Sequence, residues 1–226
     1  IEKVIEHVRN KGIECRMNTN GHLIPQRISA VKKLNAVCIS IDGDRKIHDS
    51  HKGEGSYDKV LAAIELCQAN KIPVHTSTML CRDNIHTVDS IMELAQEKGF
   101  FAEFLMPFFQ SSDDLMASGD EYRAALKKII EYKRKGYPVF FSERSHRYAL
   151  DWPDYSKRSL KGDSAKELKG FIPCSAGKYM CIVDSDGRVY PCSQMIEGWD
   201  ALNFRDHGFR KAWEHLAAND CRTCYA

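Results

Sequence analysis

Ala36-Val37-Cys38-Ile39-Ser40-Ile41-Asp42-Gly43 is the stretch whose reading decides the fold. Side chains alternate across an extended chain, so Val37, Ile39 and Ile41 share one side and the small residues Ala36, Cys38 and Ser40 share the other. The bulky side is expected to meet helices, and Asp42-Gly43 to turn the chain at the strand's carboxyl end. Upstream, Ile13-Glu14-Cys15-Arg16-Met17-Asn18 has the same parity. Ile13, Cys15 and Met17 oppose Glu14, Arg16 and Asn18, which makes the second face polar and places it against a cavity.

Outward from these two strands the pattern alternates without a break. An amphipathic helix over residues 1–11 carries Val4, Ile5 and Val8 on one stripe, and the strand over 13–18 ends in the turn Asn20-Gly21. A helix over 24–34, the strand over 36–41 and a helix over 57–70 with the stripe Val60, Ile64 and Cys67 follow. The strand over 73–80 then leads through Asn84, a candidate N-cap, into a helix over 88–98 closed by Gly99, and the strand over 100–106 comes last. Repeated β-then-α units with right-handed crossovers imply an α/β fold with a parallel sheet, open or curled into a barrel. Such sheets bind ligands at the carboxyl ends of their strands, here 18–21, 40–43 and 80–84.

Four cysteines in the last third carry a second signal. Cys174 precedes an Asp-Gly turn at Asp186-Gly187, Cys192 follows it, and Cys221-x-x-Cys224 comes about 30 residues later. Thiolate-only ligation suits zinc or a 4Fe-4S cluster, and spacing alone does not separate them. The chain has nine cysteines, an odd number, with no signal peptide ahead of them, which favours a reducing cytoplasm over a disulfide framework. Cys15, Cys38 and Cys67 read as core residues inside apolar segments, and Cys81 is ambiguous. Cys181 is either an extra ligand or, preferably, a core residue of a strand over 179–183.

Composition excludes several classes. A net charge of +2 with interspersed signs leaves no concentrated basic face for nucleic acid, and no apolar run reaches the length of a membrane span. Lys133-Arg134-Lys135 reads as a solvated helix end, favoured there by the helix dipole.

Asn18-Thr19-Asn20-Gly21, Ile39-Ser40-Ile41-Asp42-Gly43 and Ile47-His48-Asp49 together resemble the later strands of a radical S-adenosylmethionine (SAM) enzyme. Cys174-x12-Gly187-x4-Cys192, the run Asp186-Gly187-Arg188-Val189-Tyr190-Pro191-Cys192, Leu202-Asn203-Phe204 and Phe209-x3-Trp213 resemble that superfamily's cluster-binding extension, SPASM, or its shortened form, twitch. The resemblance implies a partial radical SAM barrel over 1–110, a connecting segment over 111–170, and a SPASM/twitch-like domain over 171–226. It also implies an auxiliary 4Fe-4S cluster on Cys174, Cys192, Cys221 and Cys224. Ser40 and Lys52 come to positions that touch the ribose or carboxylate of SAM, with Asn18 a further candidate for that pocket. Where the family commonly has Arg, Lys52 keeps the charge but loses the two-pronged hydrogen bond.

The family's Cys-x3-Cys-x2-Cys, whose cluster SAM chelates, is not in this sequence and would precede Ile1. The chain is therefore expected to be a fragment, inactive alone, of a parent that carries a second 4Fe-4S cluster. That parent would use a 5'-deoxyadenosyl radical to modify a peptide or a cofactor precursor such as a tetrapyrrole. A donor such as flavodoxin or ferredoxin would supply electrons. Sulfatase maturases typically place an acid after the second cysteine, where this chain has Ser193, so that substrate class is disfavoured. The alternative reading is a non-catalytic zinc-binding interaction module. In the one-cluster twitch form the four cysteines share one centre; in full SPASM, Cys221 and Cys224 belong to another and Cys181 can join the first.

Overall fold

The computed structural model describes residues 1–108, 110–161, 168 and 170–225, with only the backbone described for 110–112. Residues 162–167 and 169 of the connecting segment lie outside the described residues. The chain divides into two units, Ile1–Met106 with Asp120–Arg147, and Pro107–Gly119 with Tyr148–Ala226.

The first unit runs α1 (Glu2–Asn10), β1 (Arg16–Thr19), α2 (Ile24–Val31), β2 (Ala36–Ser40), α3 (Arg45–Lys52), α4 (Ser56–Ala69), β3 (Val74–Met79), α5 (Val88–Lys98) and β4 (Phe101–Leu105). The helices α6 (Gly119–Arg134) and α7 (Glu143–Leu150) follow. The four strands form one parallel sheet in the order β1-β2-β3-β4, as the alternation of elements requires. Parity in β2 holds: Val37, Ile39 and Ile41 are fully buried, as are Val60, Ala63, Ile64 and Cys67 of α4 and Ile91, Met92 and Ala95 of α5. Each larger apolar side chain so buried contributes roughly 1.5–3 kcal/mol, which makes this layer the main source of cohesion in the unit.

Several expectations need correction. Strand β1 begins at Arg16, because the Asn35 side chain accepts a hydrogen bond from the Cys15 amide at 2.8 Å and thereby replaces the first rung of the ladder. Ile13 is consequently outside the sheet and exposed, and Cys15 is only half-buried. In α1 only Ile5 is buried, and Val4 faces solvent. Helix α3 was not foreseen: its sequence is almost wholly polar, and its start is fixed by Asp44, whose carboxylate accepts from the Ile47 amide at 3.0 Å. Asn84 does not cap α5. Its buried side chain accepts from the Cys81 amide at 2.6 Å and donates to the carbonyls of Asp42 and Met79, both at 2.8 Å, tying the ends of β2 and β3 together.

The second unit holds two small antiparallel sheets. β5 (Ser159–Lys161) pairs with β8 (Cys221–Cys224), and β6 (Ile182–Val183) with β7 (Val189–Tyr190). The hairpin between β6 and β7 turns at Asp186-Gly187, where Gly187 has φ of 96°. A Cβ there would come within 2.8 Å of Asn203 Oδ1, so the position demands glycine twice over. Asn203 also caps the short helix α8 (Phe204–His207), and its amide donates to the Asp186 carbonyl at 2.9 Å. Val189, Ala212 and Leu216 form a small buried cluster beside α9 (Phe209–His215), with Cys181, Trp199, Leu202, Phe204 and Trp213 packed around it.

Candidate functional site

At the carboxyl ends of β1 to β3 the chain builds a polar rim from its turns. Gly21 has φ of 81°, and a Cβ would press within 3.1 Å of Ala63, so the turn after β1 can lie close to α4 only as glycine. Beneath the rim runs a chain of hydrogen bonds. The Asp42 amide donates to His48 Nδ1 at 3.1 Å, which leaves the proton of this ring on Nε2, 3.3 Å from Ser56 Oγ. Ser56 Oγ in turn lies 2.9 Å from His22 Nε2. Burial lowers the His48 pKa, partly offset by Asp42 and Asp49.

The rim residues expected to meet SAM fall out as follows. Asn18 and Ser40 lie on the same face of the sheet, since Asn18 pairs with Cys38 and Ser40 stands two residues farther along β2. Asn18 is exposed and Ser40 half-buried. Lys52 ends α3 and its Nζ sits 3.2 Å from Asp42 Oδ2, with His51 Nδ1 3.4 Å from the same oxygen. Lys52 thus reaches the rim as the partner of a rim carboxylate.

Two residues deeper on the same face, sequence reading missed a cluster. Cys38 on β2, His75 on β3 and Glu103 on β4 bring Sγ, imidazole nitrogen and carboxylate oxygen within 4.8 Å of one another. Cys38 and His75 are direct register partners, and Glu103 pairs with Ser77, the next residue on that face of β3. Ser77 stands beside Glu103 on that face and partly offsets the rise of both the Cys38 and the Glu103 pKa. The His75 ring stacks on Phe140 with centroids 4.4 Å apart. Burial, then the Glu103 charge, pushes the Cys38 thiol up to about 12; burial also raises Glu103 and lowers His75.

Of the four cysteines of the second unit, Cys221 feels the charges of Cys174 and Cys224, and Cys192 feels that of Cys174. Burial first, then these neighbouring thiols, pushes Cys221 up to about 12. Cys221 and Cys224 are three apart and would face opposite ways on a regular strand. The register of β8 shifts against β5 between Leu160 and Lys161, so that one step on β5 spans Cys221 to Thr223 on β8 and the parity is restored. The Cys174 amide donates to the carbonyl of Arg222, the residue inside that irregularity, at 2.6 Å. Thr223, buried, donates to the Ile172 carbonyl at 2.7 Å. The strand β5 that imposes the register was read as part of a connection. Cys181 packs half-buried against the Val189 cluster and precedes β6, so the strand expected over 179–183 is confined to Ile182–Val183.

Comparison with known proteins shows what the chain is similar to. Residues 1–95 match the model of the Radical SAM superfamily. The chain is 26% identical over 231 residues to AdoMet-dependent heme synthase of Methanosarcina barkeri, covering 94% of this chain and 64% of that protein. It is 26% identical over 228 residues to mycofactocin maturase MftC of Mycolicibacterium smegmatis, covering 94% of this chain and 54% of the relative. A solved structure of anSMEcpe with bound AdoMet superposes with a TM-score of 0.66 at 24% identity, over 94% of this chain and 61% of that one, which shows the shared fold. The chain thus spans between half and two thirds of the length of these proteins.

Proposed function

We propose that this chain is the SAM-binding and auxiliary-cluster portion of a cytoplasmic radical SAM maturase. It would act on a peptide or a cofactor precursor and draw electrons from a flavodoxin- or ferredoxin-like donor. The observation that supports the reading is that Cys174 acts electrostatically on both Cys192 and Cys221, and Cys224 on Cys221, in a chain whose residues 1–95 match the Radical SAM superfamily. Four thiols and no oxygen or nitrogen donor form a set suited to an iron-sulfur cluster.

Zinc fits the quartet less well. A tetrahedral tetrathiolate site with Zn–S of about 2.3 Å needs sulfurs about 3.8 Å apart. Among the described residues, the set of three metal-ligating groups that lies within 4.8 Å is Cys38, His75 and Glu103. A cluster of several irons accepts wider spacing, and the electrostatic influence of Cys174 on both Cys192 and Cys221 favours the one-centre arrangement over division between two.

When bound, SAM and its own cluster supply a carbon radical able to take hydrogen from an unreactive position, and an auxiliary cluster can accept an electron. The sequence holds no Cys-x3-Cys-x2-Cys, so none of its residues is assigned to the SAM-chelating cluster. The chain's own contribution to SAM is the rim. Ser40 offers a hydroxyl, Asn18 an amide, and Lys52 with Asp42 a charge pair that a SAM carboxylate can open by competing for the ammonium. Among the described residues no helix is long and apolar enough to cross a membrane.

Anaerobic reconstitution with iron and sulfide tests the reading. A brown protein with one cluster's iron, lost in Cys192→Ala, is the expected result; a colourless protein holding stoichiometric zinc at the same cysteines refutes it. SAM affinity, measured by calorimetry, should fall in Ser40→Ala and Lys52→Ala.

A further inference from the structure

We propose that Cys38, His75 and Glu103 form a binding site for one divalent transition-metal ion, of the zinc class, on the inner face of the parallel sheet. The three side chains come from three adjacent strands, so the backbone ladder fixes their relative positions before any ligand arrives. Glu103 Oε2 lies 3.9 Å from both Cys38 Sγ and His75 Nε2. Tetrahedral zinc with Zn–S of about 2.3 Å and Zn–N or Zn–O of about 2.0–2.1 Å requires ligand atoms about 3.3–3.6 Å apart, a few tenths of an ångström closer than Glu103 stands to the other two. The Cys38 and His75 ligand atoms lie within 4.8 Å of each other.

The donor set also has the right chemistry. A thiolate, an imidazole and a carboxylate are zinc ligands, and three protein ligands with an open fourth position is the arrangement of a reactive zinc site. Ion binding displaces the thiol proton to solvent, forming metal–sulfur, metal–nitrogen and metal–oxygen bonds with no change of oxidation state. Phe140 stacks on His75 and restricts its ring. All three side chains are shielded: Cys38 is 3% exposed, and the His75 and Glu103 side chains 14% each. A metal ion would satisfy buried groups that otherwise face one another.

Cobalt(II) is the probe, because its bond to thiolate gives a charge-transfer band that water or carboxylate ligands do not. The full chain and Cys38→Ala are titrated with cobalt under anaerobic conditions, and the readout is their difference, so metal taken up by the Cys174 quartet cancels. The expected difference is one equivalent of cobalt together with its thiolate band. Equal uptake and equal band intensity overturn the proposal. If Cys38→Ala does not fold, His75→Gln decides in the same way, by losing that equivalent or by keeping it.

Discussion

The sheet unit and the cysteine unit achieve order by different means. Behind the parallel sheet lies a continuous layer of fully buried Val, Ile, Ala and Met side chains from β2, α4 and α5. The cysteine unit offers two sheets of two strands each, and the apolar cluster beside its hairpin contains three buried residues, Val189, Ala212 and Leu216. An isolated two-stranded hairpin is marginal in water. Trp152, Tyr148, Tyr155 and Tyr225 form a second buried group there, so ligation by the proposed quartet would add to a divided core rather than replace one. The comparison teaches that the second unit should depend on a cofactor more than the first.

The sharpest way to break that contrast is to remove the ligand. Cys192→Ala, or chelation of the loaded chain, is expected to make residues of the cysteine unit readily cleaved by protease and to lose the cluster's iron. The sheet unit should keep its protection against hydrogen exchange. Equal resistance of both units in the variant would show that the small apolar clusters suffice.

Within the sheet unit the largest expected effect is on packing. Ile39→Ala removes a fully buried side chain from the centre of β2 and should cost about 2–5 kcal/mol, read from the denaturation midpoint of that unit. Val183→Ala, on the exposed hairpin of the other unit, should stay within about 0.5 kcal/mol. Similar costs at the two positions would contradict the difference in how the units are held.

That difference also explains what could be read from sequence. The parity of Val37, Ile39 and Ile41 against Cys38 and Ser40 was legible because one buried face imposes strict alternation, and the Asp186-Gly187 turn because few residues fit it. Helix α3 was hidden because only Ile47 and His48 give it an inward side; the N-cap Asp44 was the available signal. Asn84 looked like a cap since caps and buried staples use the same side chain. Cys38, His75 and Glu103 escaped notice for a different reason: each belongs to its own strand, and only the register of β2, β3 and β4 makes them neighbours. The four cysteines were legible as a set, whereas the geometry that turns Cys221 and Cys224 the same way depends on pairing with β5, which carries no distinctive residue.

A smaller effect comes from pH at the rim. His48 is 1% exposed and accepts a hydrogen bond from the Asp42 amide, so its cation would set one N–H against another. Its folded pKa is lowered from 6.5, chiefly by burial, and the unfolded chain therefore binds the proton more readily. Stability is full above about pH 6.5 and falls as the pH drops toward the folded value, by at most about 1.4 kcal/mol per unit. Stability curves of the chain and of His48→Gln should converge as the pH falls; a constant gap between them would show that this ring does not titrate on unfolding.

The smallest expected effect has the opposite sign. Thr76 and Thr78 lie on the helix-facing side of β3, fully buried, and neither hydroxyl has a hydrogen-bond partner. Each gave up hydration on folding without replacement, so the apolar layer that holds the sheet carries two polar defects. Valine has the same branched shape and no hydroxyl. Thr76→Val should accordingly stabilise the sheet unit by about 1 kcal/mol, raising its denaturation midpoint with the slope unchanged. The same exchange at Thr223 of the cysteine unit should destabilise, because that hydroxyl donates to Ile172 and lies 2.5 Å from the Tyr148 hydroxyl. One substitution with two signs would show that polar atoms burden the first unit's core and help hold the second together; a loss at Thr76 as well would mean that its hydroxyl has a partner, such as a buried water, and the sheet's core is not purely apolar.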